Sequence, residues 1–190
     1  MVEVSDKRKE TVKMKKVVIF GAAGHTGKYI TEKMKADKEP EVSAFVRKPE
    51  KFGDMDISNV NVIQGDALNA EDVKRAMDGQ DIMLCSLEGD VLTMAKNIVA
   101  ALEETSVKRI IWITGMGTHR EITGFHGFML NMYAKKRPEY IQAADTIANS
   151  KAVTTLLRCP GIVDGNNTKY TLSKEGEQPK KWSIDRVEIA

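Results

Sequence analysis

Three evenly spaced glycines form the most informative chemical pattern of this sequence, GAAGHTG at positions 21–27. The pattern follows a short apolar run, Lys16–Phe20, and opens a segment with helical periodicity. In such a turn the first glycine permits a tight reversal, the second lets the backbone approach a phosphate, and the third lets the helix pack on the sheet. A dinucleotide-binding turn is therefore predicted, with a ligand-free glycine turn as the alternative. The predicted cofactor contacts here are Gly21, Ala23, Gly24, His25, Thr26 and Gly27.

Two cations occupy the positions that normally determine whether a dinucleotide-binding domain prefers NAD(H) or NADP(H). In NAD-binding domains an acidic residue about 20 positions after the last glycine binds the 2′-hydroxyl of the adenosine ribose. That position holds Arg47, followed by Lys48. Because a guanidinium pairs with a phosphate and a carboxylate repels it, NADP(H) is predicted in preference to NAD(H). A solvated pair of surface cations is the alternative.

The elements around these residues alternate in type along the chain. Short β-branched runs are separated by segments of helical periodicity, which predicts βαβ units and an α/β fold. We expect a doubly wound, mostly parallel Rossmann-type sheet with helices on both faces. The predicted strands are Lys16–Phe20, Val42–Val46, Val60–Ile63, Asp81–Leu84, Arg109–Ile113 and Val153–Leu157. The predicted helices are 26–36, a short one from 69 or 70 to 77, 91–104 and a stretch over 125–150 that Pro138 interrupts.

The two ends of the chain carry weaker signals. Residues 1–15 are polar and aperiodic and are predicted to be a flexible tail, which leaves 16–190 as one nucleotide-binding domain. Residues 169–172 (KYTL) suggest a short strand, and SIDRVEIA over 183–190 suggests the start of a helix. Such a short helix is not stable alone. We therefore expect the natural domain to continue beyond residue 190.

Composition excludes several classes of protein. The chain has 190 residues and a formal net charge of +2, but residues 17–190 carry 23 cations and 24 acids, a charge of −1. Because the positive excess lies in the predicted tail, no nucleic-acid partner is expected. No apolar run suits a membrane helix or a secretory signal, so we expect no membrane association and a cytoplasmic location. The expected partner is a small-molecule substrate, and the expected state is a monomer or small homo-oligomer.

Small and polar residues follow the predicted third and fourth strands. Parallel strands present their carboxyl ends at one edge of the sheet, where ligands bind. Ser86 is such a residue, with an ordinary turn or helix-cap role as the alternative. The two cysteines, Cys85 and Cys159, lie in apolar runs and are predicted to be buried thiols, with a single buried disulfide as the less favoured alternative.

Several motifs together resemble the atypical, NmrA-like branch of the short-chain dehydrogenase/reductase superfamily. They are the GxxGxxG spacing, VRKP at 46–49, GD at 65–66 and LLRCPGI at 156–162, and the resemblance covers about residues 16–165. It implies an adenine contact at Asp66 and Ala67. It also implies cofactor contacts further along the cleft, at Cys85, Ser86, Leu87 and Pro160.

The catalytic residues of this superfamily are only partly matched. Thr114, at the end of RIIWIT, occupies the place of the family's Ser or Thr. The family's Tyr-x-x-x-Lys pair, in which the lysine lowers the tyrosine pKa, belongs on the helix after the fifth strand, and the segment 115–150 contains no such pair. Tyr133 is the candidate, with Arg137 where the lysine belongs, and a structural role in a helix is its alternative.

The segment 115–137 is rich in Met, aromatic and His residues. Phe125, Phe128, Met129 and Met132 fit either the wall of an apolar substrate site or a core-facing helix stripe. His119 and His126 have no third ligand at metal spacing, so no metal site is expected.

These features favour an NADP(H)-binding reductase of the atypical short-chain type, acting on a conjugated acceptor such as a flavin or quinone. Such acceptors require positioning more than a dedicated tyrosine acid. The alternative is a non-catalytic NAD(P)-binding sensor. A nucleotide-sugar epimerase is less favoured, because that group requires the Tyr–Lys pair and a larger substrate domain.

Overall fold

A six-stranded parallel sheet forms the centre of the protein. A computed structural model describes residues 14–37, 39–117, 122–174 and 177–190; residues 1–13 of the predicted tail lie outside this description. The strands are β1 (Lys16–Phe20), β2 (Glu41–Val46), β3 (Asn61–Gln64), β4 (Ile82–Cys85), β5 (Arg109–Gly115) and β6 (Val153–Cys159). Their order is β3-β2-β1-β4-β5-β6, and every neighbouring pair is parallel. The predicted fold class is confirmed, and each predicted strand of this sheet begins within one residue of its observed start.

Helices cover both faces of this sheet. They are α1 (His25–Ala36), α2 (Ala70–Met77), α3 (Val91–Leu102), α4 (Gly124–Lys135), α5 (Pro138–Ala148) and α6 (Arg186–Ile189). Alternate residues of β1 belong to the two hydrophobic clusters on the two faces of the sheet. Val18 and Phe20 pack with α2, α3 and α5, whereas Ile19 packs with α1. This alternation follows from the two-residue period of a strand. No helix of the described ranges is long and apolar enough to span a membrane.

Local signals explain where several helices begin. Asn69 caps α2 by accepting the N–H groups of Glu71 and Asp72, and Asp90 caps α3 by accepting the N–H of Thr93. Pro138 occupies the first turn of α5, where its missing N–H is tolerated. The predicted long helical stretch is therefore two helices, α4 and α5.

The C-terminal part differs from its prediction. Residues 169–172 form no strand, so that prediction is wrong. Instead β7 (Gly161–Val163) pairs in parallel with β8 (Ser183–Asp185), and the final helix begins at Arg186 rather than at Ser183. The reason is tertiary: residues 183–185 complete a ladder with a strand about twenty positions away, which overrides their local helical pattern.

Candidate functional site

The glycine turn lies where the strand order reverses, between β1 and β4. The Ser86 N–H donates to the Phe20 carbonyl over 3.0 Å, which brings the segment after β4 against the end of β1. Gly21 has a φ of +79°, and a Cβ on it would lie 2.1 Å from the Ser86 oxygen. Only glycine fits this turn, because a side chain is excluded both by backbone conformation and by space.

The other two glycines act differently. A Cβ on Gly27 would lie 2.0 Å from the Gly21 oxygen, so Gly27 lets α1 pack close to the turn. Gly24 precedes α1, and its N–H donates to the Gly21 carbonyl over 2.9 Å. No side chain caps α1, and no acidic residue lies in its first turn. The first N–H groups of α1 are thus available to an anion, and the helix dipole favours one.

A cleft of about 1170 Å³ opens above this turn and extends along the carboxyl ends of β1–β4. It brings together most of the predicted cofactor contacts, although they come from four separate strand ends. The predicted residues that line it are Gly21, Ala23, Gly24, His25, Thr26, Arg47, Lys48, Asp66, Ala67, Ser86 and Leu87. A cleft of this size is typical of a site for a small molecule or cofactor.

Three cations lie at the end of the cleft that is nearest to the carboxyl end of β2. Arg47 and Lys48 follow β2 directly, and Lys51 lies on the 3₁₀ turn Pro49–Phe52. The Arg47 side chain is 62% exposed, and its Nη1 lies 4.0 Å from Asp66 Oδ2. An exposed ion pair of this length contributes little to stability, so the guanidinium is free to bind an incoming anion.

Hydrogen bonds hold the turn after β3, which carries Asp66. The Asp66 N–H donates to Asp72 Oδ2 over 3.0 Å, and Asp66 Oδ1 accepts the Leu68 N–H over 3.0 Å. The Asp66 N–H lowers the pKa of the Asp72 carboxyl, and the Arg75 guanidinium lowers it further. Gly65 has no room for a side chain, because a Cβ there would lie 2.6 Å from the Phe45 ring. The turn after β3 is therefore held in a defined conformation.

Three predicted cofactor residues do not line this cleft. Gly27 lies beneath the turn, and Cys85 is buried in the core, where desolvation raises the pKa of its thiol. Pro160 lines a second cleft of about 680 Å³ beside β6. Cys159 lines the same cleft, and burial raises the pKa of its thiol to about 12. Both cysteines are free thiols.

The two predicted catalytic residues lie in different surroundings. Thr114 lies near the end of β5, is 7% exposed, and its Oγ1 has no hydrogen-bond partner among the described atoms. Tyr133 lies on the exposed side of α4, and its hydroxyl accepts from Arg137 Nη1 over 3.4 Å. Neither residue lines the large cleft.

Five charged residues of the cleft were not predicted from the sequence: Lys28, Glu32, Lys51, Glu88 and Asp164. Asp164 follows β7 and accepts from Arg186 Nη1 in α6. These two residues are 22 positions apart, and no local pattern connects them. A place for Lys51 in the site could have been predicted from the sequence, since it lies four residues after Arg47 in the same basic segment.

The Met- and aromatic-rich segment matches neither of its two predicted roles. Phe125, Phe128, Met129 and Met132 are exposed on α4. They line neither described cleft, and they are not part of the described core. Their local pattern is that of a core-facing stripe, but the orientation of α4 places this stripe on the outside.

Among the described residues, no group of three or more His, Cys, Asp or Glu side chains is placed to hold a metal. His119 lies outside the described residues, and for His126 only the backbone is described.

Comparisons with known proteins agree with this geometry. A sequence model of the family described as NAD(P)H-binding matches residues 21–190. A Rossmann-fold NAD(P)-binding family protein from Shigella flexneri is 28% identical over 93% of this chain and 82% of its own, with a TM-score of 0.74. A short-chain dehydrogenase/reductase from Veillonella parvula in complex with NADP is 22% identical over 92% and 83%, also with a TM-score of 0.74. An NADPH-dependent quinone oxidoreductase from Escherichia coli, complexed with NADPH, is 25% identical over 77% of this chain and 49% of its own, with a TM-score of 0.61.

Proposed function

Since the chain belongs to the NAD(P)H-binding family, we propose that it is an NADPH-dependent cytoplasmic reductase of a small conjugated acceptor such as a flavin or quinone. The observation that carries this proposal is the cleft, which joins the glycine turn to the three cations Arg47, Lys48 and Lys51. The named activity of the quinone oxidoreductase from Escherichia coli supports the class of acceptor. The GxxGxxG spacing favours placement in the atypical, NmrA-like branch.

The residues of the cleft fit NADP(H) at two points. Gly21 allows the tight turn before α1, because a Cβ there would lie 2.1 Å from the Ser86 oxygen, and the uncapped N–H groups of α1 would bind the pyrophosphate. Arg47 would bind the 2′-phosphate, because its guanidinium is exposed and, within the described residues, forms an ion pair only with Asp66, over 4.0 Å. Lys48 and Lys51 would add to the positive potential there. When bound, NADPH supplies the hydride for the reduction.

The chain's own part in the chemistry is to position the acceptor. The segment 115–150 after β5 contains no Tyr-x-x-x-Lys pair, and Tyr133 is exposed on α4, so we propose that the proton comes from solvent. Flavins and quinones suit this arrangement, because their conjugated rings accept the negative charge that hydride transfer creates. The Thr114 hydroxyl, at the carboxyl end of β5, is the group proposed to donate a hydrogen bond to the acceptor; because it is buried outside the cleft, this role requires its surroundings to open when the acceptor binds.

Turnover with a panel of acceptors tests this function. We expect NADPH oxidation, followed at its absorbance band, in the presence of a flavin or a quinone and little oxidation without an acceptor. Thr114→Val should lower kcat by roughly tenfold, the size expected for one lost hydrogen bond, and leave the affinity for NADPH unchanged. Tight NADPH binding without turnover of any acceptor would contradict the reductase and support the sensor.

A further inference from the structure

Helix α4 has one face held against the protein. A Cβ built on Gly127 would lie 1.9 Å from the Ile122 oxygen, and one on Gly117 would lie 2.8 Å from the Leu130 Cβ. Gly127 is buried, and Leu130 and Ala134 are half-buried. These three residues define the inner face of α4, which rests on the turn that follows β5.

The opposite face of α4 is an exposed apolar stripe of five large side chains. They recur at positions i, i+3, i+4, i+7 and i+8, the spacing of one helix face. Their exposed fractions range from 48% for Met132 to 75% for Phe125. The stripe consists of Phe125, Phe128, Met129, Met132 and Tyr133. The outer face of a surface helix is normally polar, and a contiguous apolar patch of this kind marks an interaction site.

We propose that this stripe is the interface of a homodimer, in which α4 packs antiparallel against α4 of a second copy about a twofold axis near Met129. The arrangement is self-complementary: Met129 lies at the centre of the stripe, so Phe125 of one copy meets Tyr133 of the other. From the size of such side chains, the stripe offers on the order of 600 Å² per copy. Two copies would bury about 1200 Å², the lower bound for a stable interface.

The charges beside the stripe favour the antiparallel arrangement. Lys135, Lys136 and Arg137 form a basic cluster at the C-terminal end of α4. With the axis at Met129, the two clusters lie roughly 20 Å apart along the helices. This distance exceeds the Debye length at physiological ionic strength, about 8 Å, whereas a parallel pair would bring the clusters together. Antiparallel helix dipoles also attract each other.

Sedimentation of the full chain tests the proposal. We expect a dimer for the wild type and at least a tenfold higher dimer dissociation constant for Met129→Glu. Leu172→Glu is the matched control, because Leu172 is 74% exposed but lies outside α4, and it should remain dimeric. Since Met129 does not line the cleft, NADPH affinity should be the same in both variants, which shows that they are folded and separates this proposal from the proposed function.

Oxidative crosslinking tests the position of the axis. Met129→Cys should form a disulfide-linked dimer, whereas Tyr133→Cys should not, because residues four positions from the axis lie on opposite sides of it. The two native thiols are buried and do not interfere.

A monomeric wild type would overturn the proposal. So would a wild type that is monomeric in solution and binds anionic phospholipid vesicles through the stripe, because the basic cluster would then serve a membrane surface.

Discussion

At the scale of single residues, Arg47 is the side chain that we propose determines which dinucleotide the cleft binds more tightly. Its guanidinium lies beyond the end of β2, 62% exposed, with Asp66 as a distant ionic neighbour. Lys48 and Lys51 strengthen the potential at the same end, but as point charges they cannot form a bidentate pair with a phosphate. The preference for NADPH is therefore expected to depend on Arg47 more than on either lysine.

Arg47→Asp should weaken NADPH binding by about 100-fold, because a charge-assisted pair is lost and a repulsive carboxylate is introduced. NADH binding should change by less than about threefold, since NADH lacks the phosphate. Calorimetric titration with both dinucleotides measures the two effects. Arg109→Asp, the same charge change at the exposed amino end of β5, is the control and should alter neither. An unchanged NADPH affinity in Arg47→Asp would remove Arg47 from the site.

At the scale of elements, the three glycines of the strand–turn–helix unit from β1 to α1 have different surroundings. Gly21 and Gly24 line the cleft, whereas Gly27 is buried against the Gly21 carbonyl. The same residue type thus lines the proposed cofactor site at two positions and allows close packing of the fold at the third.

Two alanine substitutions separate these roles. Gly27→Ala should lower the free energy of unfolding by about 2 kcal/mol or more, because its Cβ would lie 2.0 Å from a backbone oxygen. Gly24→Ala should lower it by less than about 1 kcal/mol, the cost of a poorer helix cap, since its Cβ would lie 3.0 Å from the Gly21 oxygen. Gly24→Ala should instead reduce dinucleotide affinity, because the added methyl enters the cleft. Chemical denaturation measures the first effect and calorimetry the second; equal stability losses would contradict the division.

At the scale of the whole molecule, the cleft is lined from several parts of the fold. Its residues come from α1, from the ends of β1 to β4 and, through Asp164, from the segment after β7. The Asp164–Arg186 ion pair ties that segment to α6, and α6 packs on α1. A bound dinucleotide would therefore contact elements that only the complete fold brings together, and binding should stabilise the native state as a whole.

NADPH at a hundred times its dissociation constant should stabilise the protein by about 2.7 kcal/mol. For a chain of this length that corresponds to a rise in Tm of roughly 5 to 10 °C. NADH at the same concentration should give a smaller rise, and Arg47→Asp should remove the difference between the two. Differential scanning calorimetry measures these shifts, and equal rises for NADPH and NADH in the wild type would contradict the NADPH preference.

The strands of the sheet and the position of the glycine turn could be predicted from the sequence. Strands such as Lys16–Phe20 were readable because apolar periodicity and glycine boundaries are local properties. That the glycine turn and Arg47 line one cleft could be predicted because their spacing along the chain follows from one βαβ unit. The family prediction, NAD(P)-binding with a Rossmann fold, is confirmed by the match over residues 21–190.

The way in which distant segments meet could not be predicted from local patterns, because it depends on long-range contacts. Asp164 reaches the cleft through β7, and residues 183–185 form a strand because they pair with β7 rather than follow their local pattern. The stripe of α4 shows the same limit: its spacing defines an apolar face, but the packing of Gly127 on Ile122 turns that face outward. Periodicity specifies which residues share a face, whereas the direction of that face depends on long-range contacts that no local pattern contains.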